Sequence, residues 1–287
     1  MTTTEVLTLG AVAYDPKVVT IWEGFKDYLG RRGLSVDYVL YSNYERQVQD
    51  LIGGKIDLAW NSPLAWVRAR RLAASRGDQV MPLVMRDADR ALTSSIVVRS
   101  DDPSTTVNDL RGRRIGVGAV DSPQATLIPL LLLHEAGIDP ANDVEVIYHD
   151  VFAGKHGDHG TAERMAVKAL VEGTVDAACV LTGNDAAAEV EEVVPAGSVR
   201  TLAVTGTFDH CNFTQGATPH DVDAKRFGEL LMQMSYEDPD VRPLCELEGF
   251  KRWEIGRSQG YELLERAVDV FGFYSIDGAI TADDYRY

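Results

Sequence analysis

Five consecutive residues, Ser122-Pro123-Gln124-Ala125-Thr126, place two hydroxyls and an amide directly after an apolar run and at the start of an apolar helical stretch. The first N–H groups of a helix have no partner within it, and with the helix dipole they favour negative charge. Ser122, Gln124 and Thr126 add side-chain donors, and Ala125 adds its backbone. The chemistry this pattern supports is capture of a small oxyanion. Asn61-Ser62-Pro63 opens another helix with the same Ser-Pro pair and offers Asn61 and Ser62 as donors. Both segments also read as ordinary serine caps with proline at the first helical position. Tyr14, just past the first apolar run, is a candidate lid or donor.

The histidines are unevenly spread. His149, His156 and His159 fall within eleven residues, and Asp158 stands inside the H-x-x-H pair. Such a group can hold a metal, but the stretch is glycine-rich and no helix fixes its spacing. No cofactor is therefore expected, and a metal on His149, His156 and His159 stands as the alternative. His156 reads better as a donor to an anion. Cys211 beside His210 could serve as a nucleophile. Neighbours on a strand point to opposite faces, which disfavours that pair and leaves His156 as the better partner for Cys211. His210 is kept as a ligand candidate. Arg68, Arg70 and Arg71 read as a solvated helix face, and Glu163-Arg164 as the exposed start of another helix.

Strand-like and helical patterns alternate along the chain with short links, which is the mark of α/β layering. Strands are expected over 6–13, 34–41, 56–60, 80–85, 92–99, 113–118, 144–148, 175–181 and 200–204. Helices are expected over 17–31, 44–52, 124–136, 162–172, 221–234, 239–247 and 259–271, with another opening at Ser62. One module occurs twice, as Gly54-Lys-Ile-Asp-Leu-Ala-Trp60 and Gly173-Thr-Val-Asp-Ala-Ala-Cys179. Ligands of open α/β sheets bind beyond the carboxyl ends of strands. That places Asn61-Ser62 and 181–185, with Asn184, at binding rims. The layout implies one lobe from 1–92 and 206–287 and a second from 93–205. Crossing strands are expected near 92–99 and 200–206, with a ligand cleft between the lobes.

These paired edges carry a resemblance. The chain resembles the substrate-binding proteins of phosphonate, phosphite and phosphate ABC importers. Leu7–Ala13 with Trp22 is similar to that family's first strand and helix. Gly54–Pro63 resembles its G-x-x-D edge, and Ser95–Ser100 with Leu110–Gly116 its crossover and entry to the second lobe. Ser122–Thr126 stands where the family has its oxyanion loop, though with less Ser and Gly. Phe152-Ala-Gly-Lys-His156 is similar to a segment whose histidine touches the ligand. The resemblance implies a type II periplasmic-binding-protein fold, with a mixed, mainly parallel sheet and flanking helices in each lobe. It also implies a small oxyanion as ligand and, for an exported chain, an ABC-type permease as partner.

Composition narrows the field. The net charge of −16 argues against nucleic acid, whose phosphates need a basic surface. No run approaches the ~20 apolar residues of a membrane helix. The start of the chain shows no basic and apolar leader pattern, and the cysteines number three. Both point to the cytoplasm. Binding of an oxyanion competes with two other readings. One is a cytoplasmic enzyme on the same frame, desulfinase- or decarboxylase-like or in a cofactor pathway, using His156 and Cys211 or a metal. The other is a sensor.

Overall fold

The computed structural model describes residues 6–149, 152–158, 160–217, 221–283 and 285–287. The chain opens with β1 (Leu7–Val12), α1 (Lys17–Gly30), β2 (Val36–Tyr41), α2 (Tyr44–Ile52), β3 (Leu58–Asn61), α3 (Pro63–Ser75) and β4 (Met81–Arg86). It continues with β5 (Ser94–Arg99), β6 (Arg114–Val117), α4 (Ile128–Glu135), β7 (Glu145–Tyr148), α5 (Thr161–Val171), β8 (Ala177–Leu181), α6 (Asn184–Val190) and β9 (Val199–Val204). The remainder holds β10 (Asn212–Gln215), α7 (Asp221–Leu231), α8 (Arg242–Glu248), β11 (Trp253–Ile255) and α9 (Glu262–Val270).

The chain divides into two units. The first takes residues through Arg90, then Asp209–Tyr261 and Tyr274–Thr281; the second takes Ala91–Phe208, Glu262–Phe273 and Ala282–Tyr287. The first unit's sheet runs β11-β4-β10-β3-β1-β2. β1 is parallel to β2 and β3, while β10 runs antiparallel to β3 and β4. The second unit's sheet runs β7-β6-β8-β5-β9. β6 is parallel to β7 and β8, and β5 is antiparallel to β8 and β9.

Both sheets are covered on two faces, so their strands alternate between two cores rather than between core and water. In the first unit Leu58 and Trp60 join a cluster with Trp22, Phe25, Phe213 and Trp253, while Ala59 joins Val48, Leu51 and Ala65 on the other face. In the second, Ala177 and Cys179 pack with Leu130 and Leu133, and Ala178 and Val180 with Ala166, Val167 and Leu170.

The repeated module has one structural job in both units. Asp57 accepts the Thr8 N–H of β1 at 2.8 Å and returns its own N–H to the Thr8 carbonyl at 2.9 Å. Asp176 accepts the Arg114 N–H of β6 at 3.0 Å and returns its N–H to the Arg114 carbonyl at 2.8 Å. Each aspartate thus registers a short strand against the strand beside it.

Two expectations are corrected. Residues 206–287 do not stay together. Phe271 packs against the core of the second unit, stacked edge-on to His134, and Arg266 pairs with Glu135 at 2.8 Å. Those contacts draw Glu262–Phe273 to that unit. β5 and β9, the strands expected near the crossings, pair with each other, and the chain changes units just outside them, after Arg90 and after Phe208. Arg68 is not solvated: it is 4% exposed and ion-pairs with the fully buried Glu45, which also accepts from Tyr274 Oη at 2.7 Å. β10, β11 and α6 were not expected at all.

Candidate functional site

In the first unit, Ser62 caps α3, its Oγ accepting from Ala65 N at 3.1 Å. Pro63 supplies a preset φ at the first helical position. Asn61, expected to donate to a ligand, is 0% exposed, and its amide is committed within the unit. Its Oδ1 accepts from Gln47 Nε2 at 2.9 Å, and its Nδ2 donates to Thr214 Oγ1 at 2.9 Å. Thr214 donates to Asn212 Oδ1, Asn212 to Tyr261 Oη, and Tyr261 to the His210 carbonyl. This buried chain of hydrogen bonds lets Asn61, Asn212 and Thr214 sit in the middle of the sheet. Tyr14 is half-buried at the edge of the same core, with Lys17 Nζ 6.0 Å from its ring centre.

His210 and Cys211 do pair, against expectation: Nδ1 lies 3.0 Å from Sγ. The alternation argument fails because both residues precede β10 and are not in a strand. Cys211 lies in the first unit and His156 in the second.

In the second unit, Ser122 also caps a helix, its Oγ accepting from Ala125 N at 3.2 Å. Here the first turn is π-type rather than α. The Ser122 carbonyl accepts from Thr126 N at 3.1 Å and from Leu127 N at 3.0 Å, and Ile128 N reaches back to the Pro123 carbonyl. Pro129 accounts for this. It has no N–H to give the Ala125 carbonyl, which accepts instead from Gly118 N at 3.1 Å. The wide turn is thus stitched to the end of β6.

The donors expected to meet an oxyanion already have partners. Thr126 Oγ1 donates to the Ala119 carbonyl at 2.7 Å. Gln124 Nε2 donates to the Gly157 carbonyl at 3.1 Å and to Glu163 Oε1 at 3.3 Å. Ala125 N is spent on the cap. The Ser122 hydroxyl accepts there and keeps its own proton to donate. Gly157 lies directly over the turn: a Cβ on it would sit 2.4 Å from Ser122 Oγ and 2.7 Å from Gln124 Nε2, and its φ of +79 lies in the left-handed region. Only glycine fits both demands.

Glu163, expected at the surface, is 3% exposed. It accepts from Leu181 N at 2.8 Å, from Asn184 Nδ2 at 2.7 Å and from Gln124. It therefore ties the starts of α5 and α6 to the Ser122 turn. Its signal was present in the sequence: Glu163 shares one helix face with Ala166, Val167 and Leu170, all buried. Asp121 is 0% exposed. It accepts from the N–H groups of Gly154 and His156 and from Tyr285 Oη at 3.2 Å, while its Oδ1 has no hydrogen-bond partner among the described residues. Burial raises its pKa, and the charge of nearby His156 offsets part of that rise. His156 is itself 0% exposed, in the left-handed region at φ 52, with Nε2 3.5 Å from Tyr285 Oη. His149 Nδ1 lies 3.0 Å from the Val117 carbonyl, and His159 falls outside the described residues. Among the described residues the group able to hold a metal is Asp89, His210 and Cys211.

A sequence profile of the family described as "ABC transporter, phosphonate, periplasmic substrate-binding protein" matches residues 11–261. The chain belongs to this family. Solved structures similar to it carry the type II periplasmic-binding-protein fold, and the chain shares it. PhnD1 from Prochlorococcus marinus, in complex with methylphosphonate, is 15% identical with a TM-score of 0.71, covering 94% of this chain and 99% of that one. A binding protein component of an ABC phosphonate transporter from Pseudomonas aeruginosa is 14% identical at 0.62, covering 93% and 86%. The periplasmic aliphatic sulphonate binding protein SsuA from Escherichia coli is 18% identical at 0.56, covering 93% and 87%.

Family membership supports a solute-binding role and lends nothing to the enzyme reading. It also overturns the cytoplasmic assignment, because the family is periplasmic. The cysteine argument fails for a physical reason: Cys179, Cys211 and Cys245 are all buried, so free thiols here are shielded from an oxidising solvent. No helix among the described residues is long and apolar enough to cross a membrane.

Proposed function

We propose that this protein captures a phosphonate-class oxyanion for an ABC-type permease, with the Ser122 turn as the anion's seat. The observation that carries the reading is the serine-capped turn itself, lying within the matched family segment. Its hydroxyl and the positive end of the helix supply the attraction. The methylphosphonate of PhnD1 is a ligand of the same chemical class.

The buried Glu163, bonded to Gln124 of the turn, restricts the charge that this seat accepts. A dianion beside its carboxylate meets repulsion. A monoanion carries its own proton and can donate it to a carboxylate. The expected solute is therefore a phosphonate, phosphite or phosphate in its singly charged form. Calorimetry against methylphosphonate, phosphite, phosphate and sulfate tests this. The expected result is micromolar or tighter binding of at least one phosphorus oxyanion. Affinity should fall as pH rises through the second ionisation of the phosphorus oxyanion. Glu163→Gln should flatten that fall. Absence of heat from all four anions overturns the proposal.

A further inference from the structure

A second cluster of chemistry-bearing side chains lies wholly inside the first unit. Asp89 ends a single helical turn, Asp87–Asp89, just after β4. His210 and Cys211 come just before β10. The two segments are fixed to each other by His210 N donating to the Asp89 carbonyl at 2.7 Å. Tyr261 Oη holds the His210 carbonyl from the other direction at 2.9 Å. Within this frame His210 Nδ1 stands 3.0 Å from Cys211 Sγ and 3.5 Å from Asp89 Oδ1. One ligand atom from each residue lies within 4.8 Å of the other two. Asp89 and Cys211 are each 2% exposed.

A Cys-His-Asp set has two chemical uses, and the geometry separates them. A nucleophilic relay needs the thiol on one ring nitrogen and the carboxylate on the other, so that the imidazole passes a proton between them. Here thiol and carboxylate both face Nδ1. A single Nδ1–H can serve only one of them, and an unprotonated Nδ1 turns its lone pair toward both. Three Lewis bases converging on one point is the arrangement that a cation resolves. Tetrahedral zinc, with bonds of about 2.0–2.3 Å to N, O and S, holds its ligand atoms about 3.3–3.7 Å apart. The observed 3.0 and 3.5 Å lie within a few tenths of that range.

The surroundings fit the same use. Arg86 grips Asp89 with two hydrogen bonds, Nε to Oδ2 at 2.6 Å and Nη2 to Oδ1 at 2.8 Å. This orients the carboxylate and leaves each oxygen a further lone pair. Arg86 is also shared with Glu248 at 2.8 Å, so one positive charge answers two carboxylates. A thiolate and an imidazole exclude calcium and magnesium, which take oxygen ligands, and select zinc-class ions.

We propose that Asp89, His210 and Cys211 form a binding site for a zinc-class divalent cation, separate from the oxyanion seat. On binding, the Cys211 thiol gives its proton to solvent and its sulfur becomes a ligand, with His210 Nδ1 and an Asp89 oxygen completing the protein's share. Three protein ligands leave a coordination position for water.

Cobalt(II) titration of the full-length, untagged protein tests the site, because a cobalt–thiolate bond gives a charge-transfer band in the near ultraviolet. The expected result is a band that saturates at one equivalent and is abolished by excess zinc. Cys211→Ser removes the band, and His210→Gln weakens cobalt binding at least tenfold. Cys245→Ser, elsewhere in the same unit, leaves both unchanged. Failure of the wild-type protein to develop the band overturns the proposal whatever the variants do. A band that survives in folded Cys211→Ser overturns it too.

Discussion

Asp89 in the first unit and Asp121 in the second are both fully buried, yet they titrate in opposite directions. Burial drives both upward. At Asp89 the paired Arg86 guanidinium outweighs burial and brings the carboxyl down to about 2. Asp121 has backbone N–H groups, a tyrosine hydroxyl and the partial help of His156, and its pKa stays raised. Burial sets only the cost of a charge; what stands beside it decides whether the charge persists. In the first unit Arg68 likewise pairs with the buried Glu45, whereas Glu248, which shares Arg86 with Asp89, is still pushed up by burial. In the second, a protonatable acid stands next to the Ser122 turn.

The comparison can be broken most forcefully at Arg86. Arg86→Ala leaves Asp89 and Glu248 buried without their cation and should cost about 3–5 kcal/mol, measured by urea unfolding. Gly157→Val should cost on the order of 1–3 kcal/mol from the left-handed φ alone. It should also weaken oxyanion binding, because the added side chain runs into Ser122 and Gln124. Ser62→Ala and Ser122→Ala remove equivalent caps and should each cost about 1 kcal/mol. Only Ser122→Ala should also reduce oxyanion affinity by roughly tenfold, read by calorimetry, about the worth of one hydrogen bond to a charged group.

The smallest effect is the most diagnostic. A carboxyl with a raised folded pKa contributes stability that is complete below its unfolded value, about 3.9, and is lost as pH rises through the folded value. Asp121→Asn should remove that loss and match or exceed the wild type in urea midpoint at neutral pH. Asp89 runs the other way. Its contribution is present above about 3.9 and disappears as pH falls toward about 2. A wild-type urea midpoint whose acid-side profile is unaltered by Asp121→Asn would show that the carboxyl is not held up by burial.

Much of this was legible in the sequence. The Gly-x-x-Asp repeat marked one short inner strand in each sheet, β3 and β8, and the two Ser-Pro pairs marked two helix starts, because caps and glycine stops are local signals. The π-type turn was not legible, since it depends on Pro129, Ala125 and Gly118 meeting across a strand end. β10 was hidden because Asn212, Thr214 and Gln215 look like loop residues until the hydrogen-bond chain through Asn61 and Tyr261 satisfies them. The burial of Glu163 was legible from its helix face, but its partners at Leu181 and Asn184 were not. Asp89 gave no sign of meeting His210, because 121 residues separate them and only the sheet order joins them.

That sheet order bears on how the molecule is made. β10 is inserted between β3 and β4, although those strands are complete by residue 86 and β10 begins at residue 212. All five strands of the other sheet, β5 to β9, leave the ribosome in the interval. The second unit's sheet can therefore assemble while the first is still two fragments with raw edges, the kind of surface that chaperones cover. Translation order makes the middle of the polypeptide the earlier sheet to close and its beginning the later.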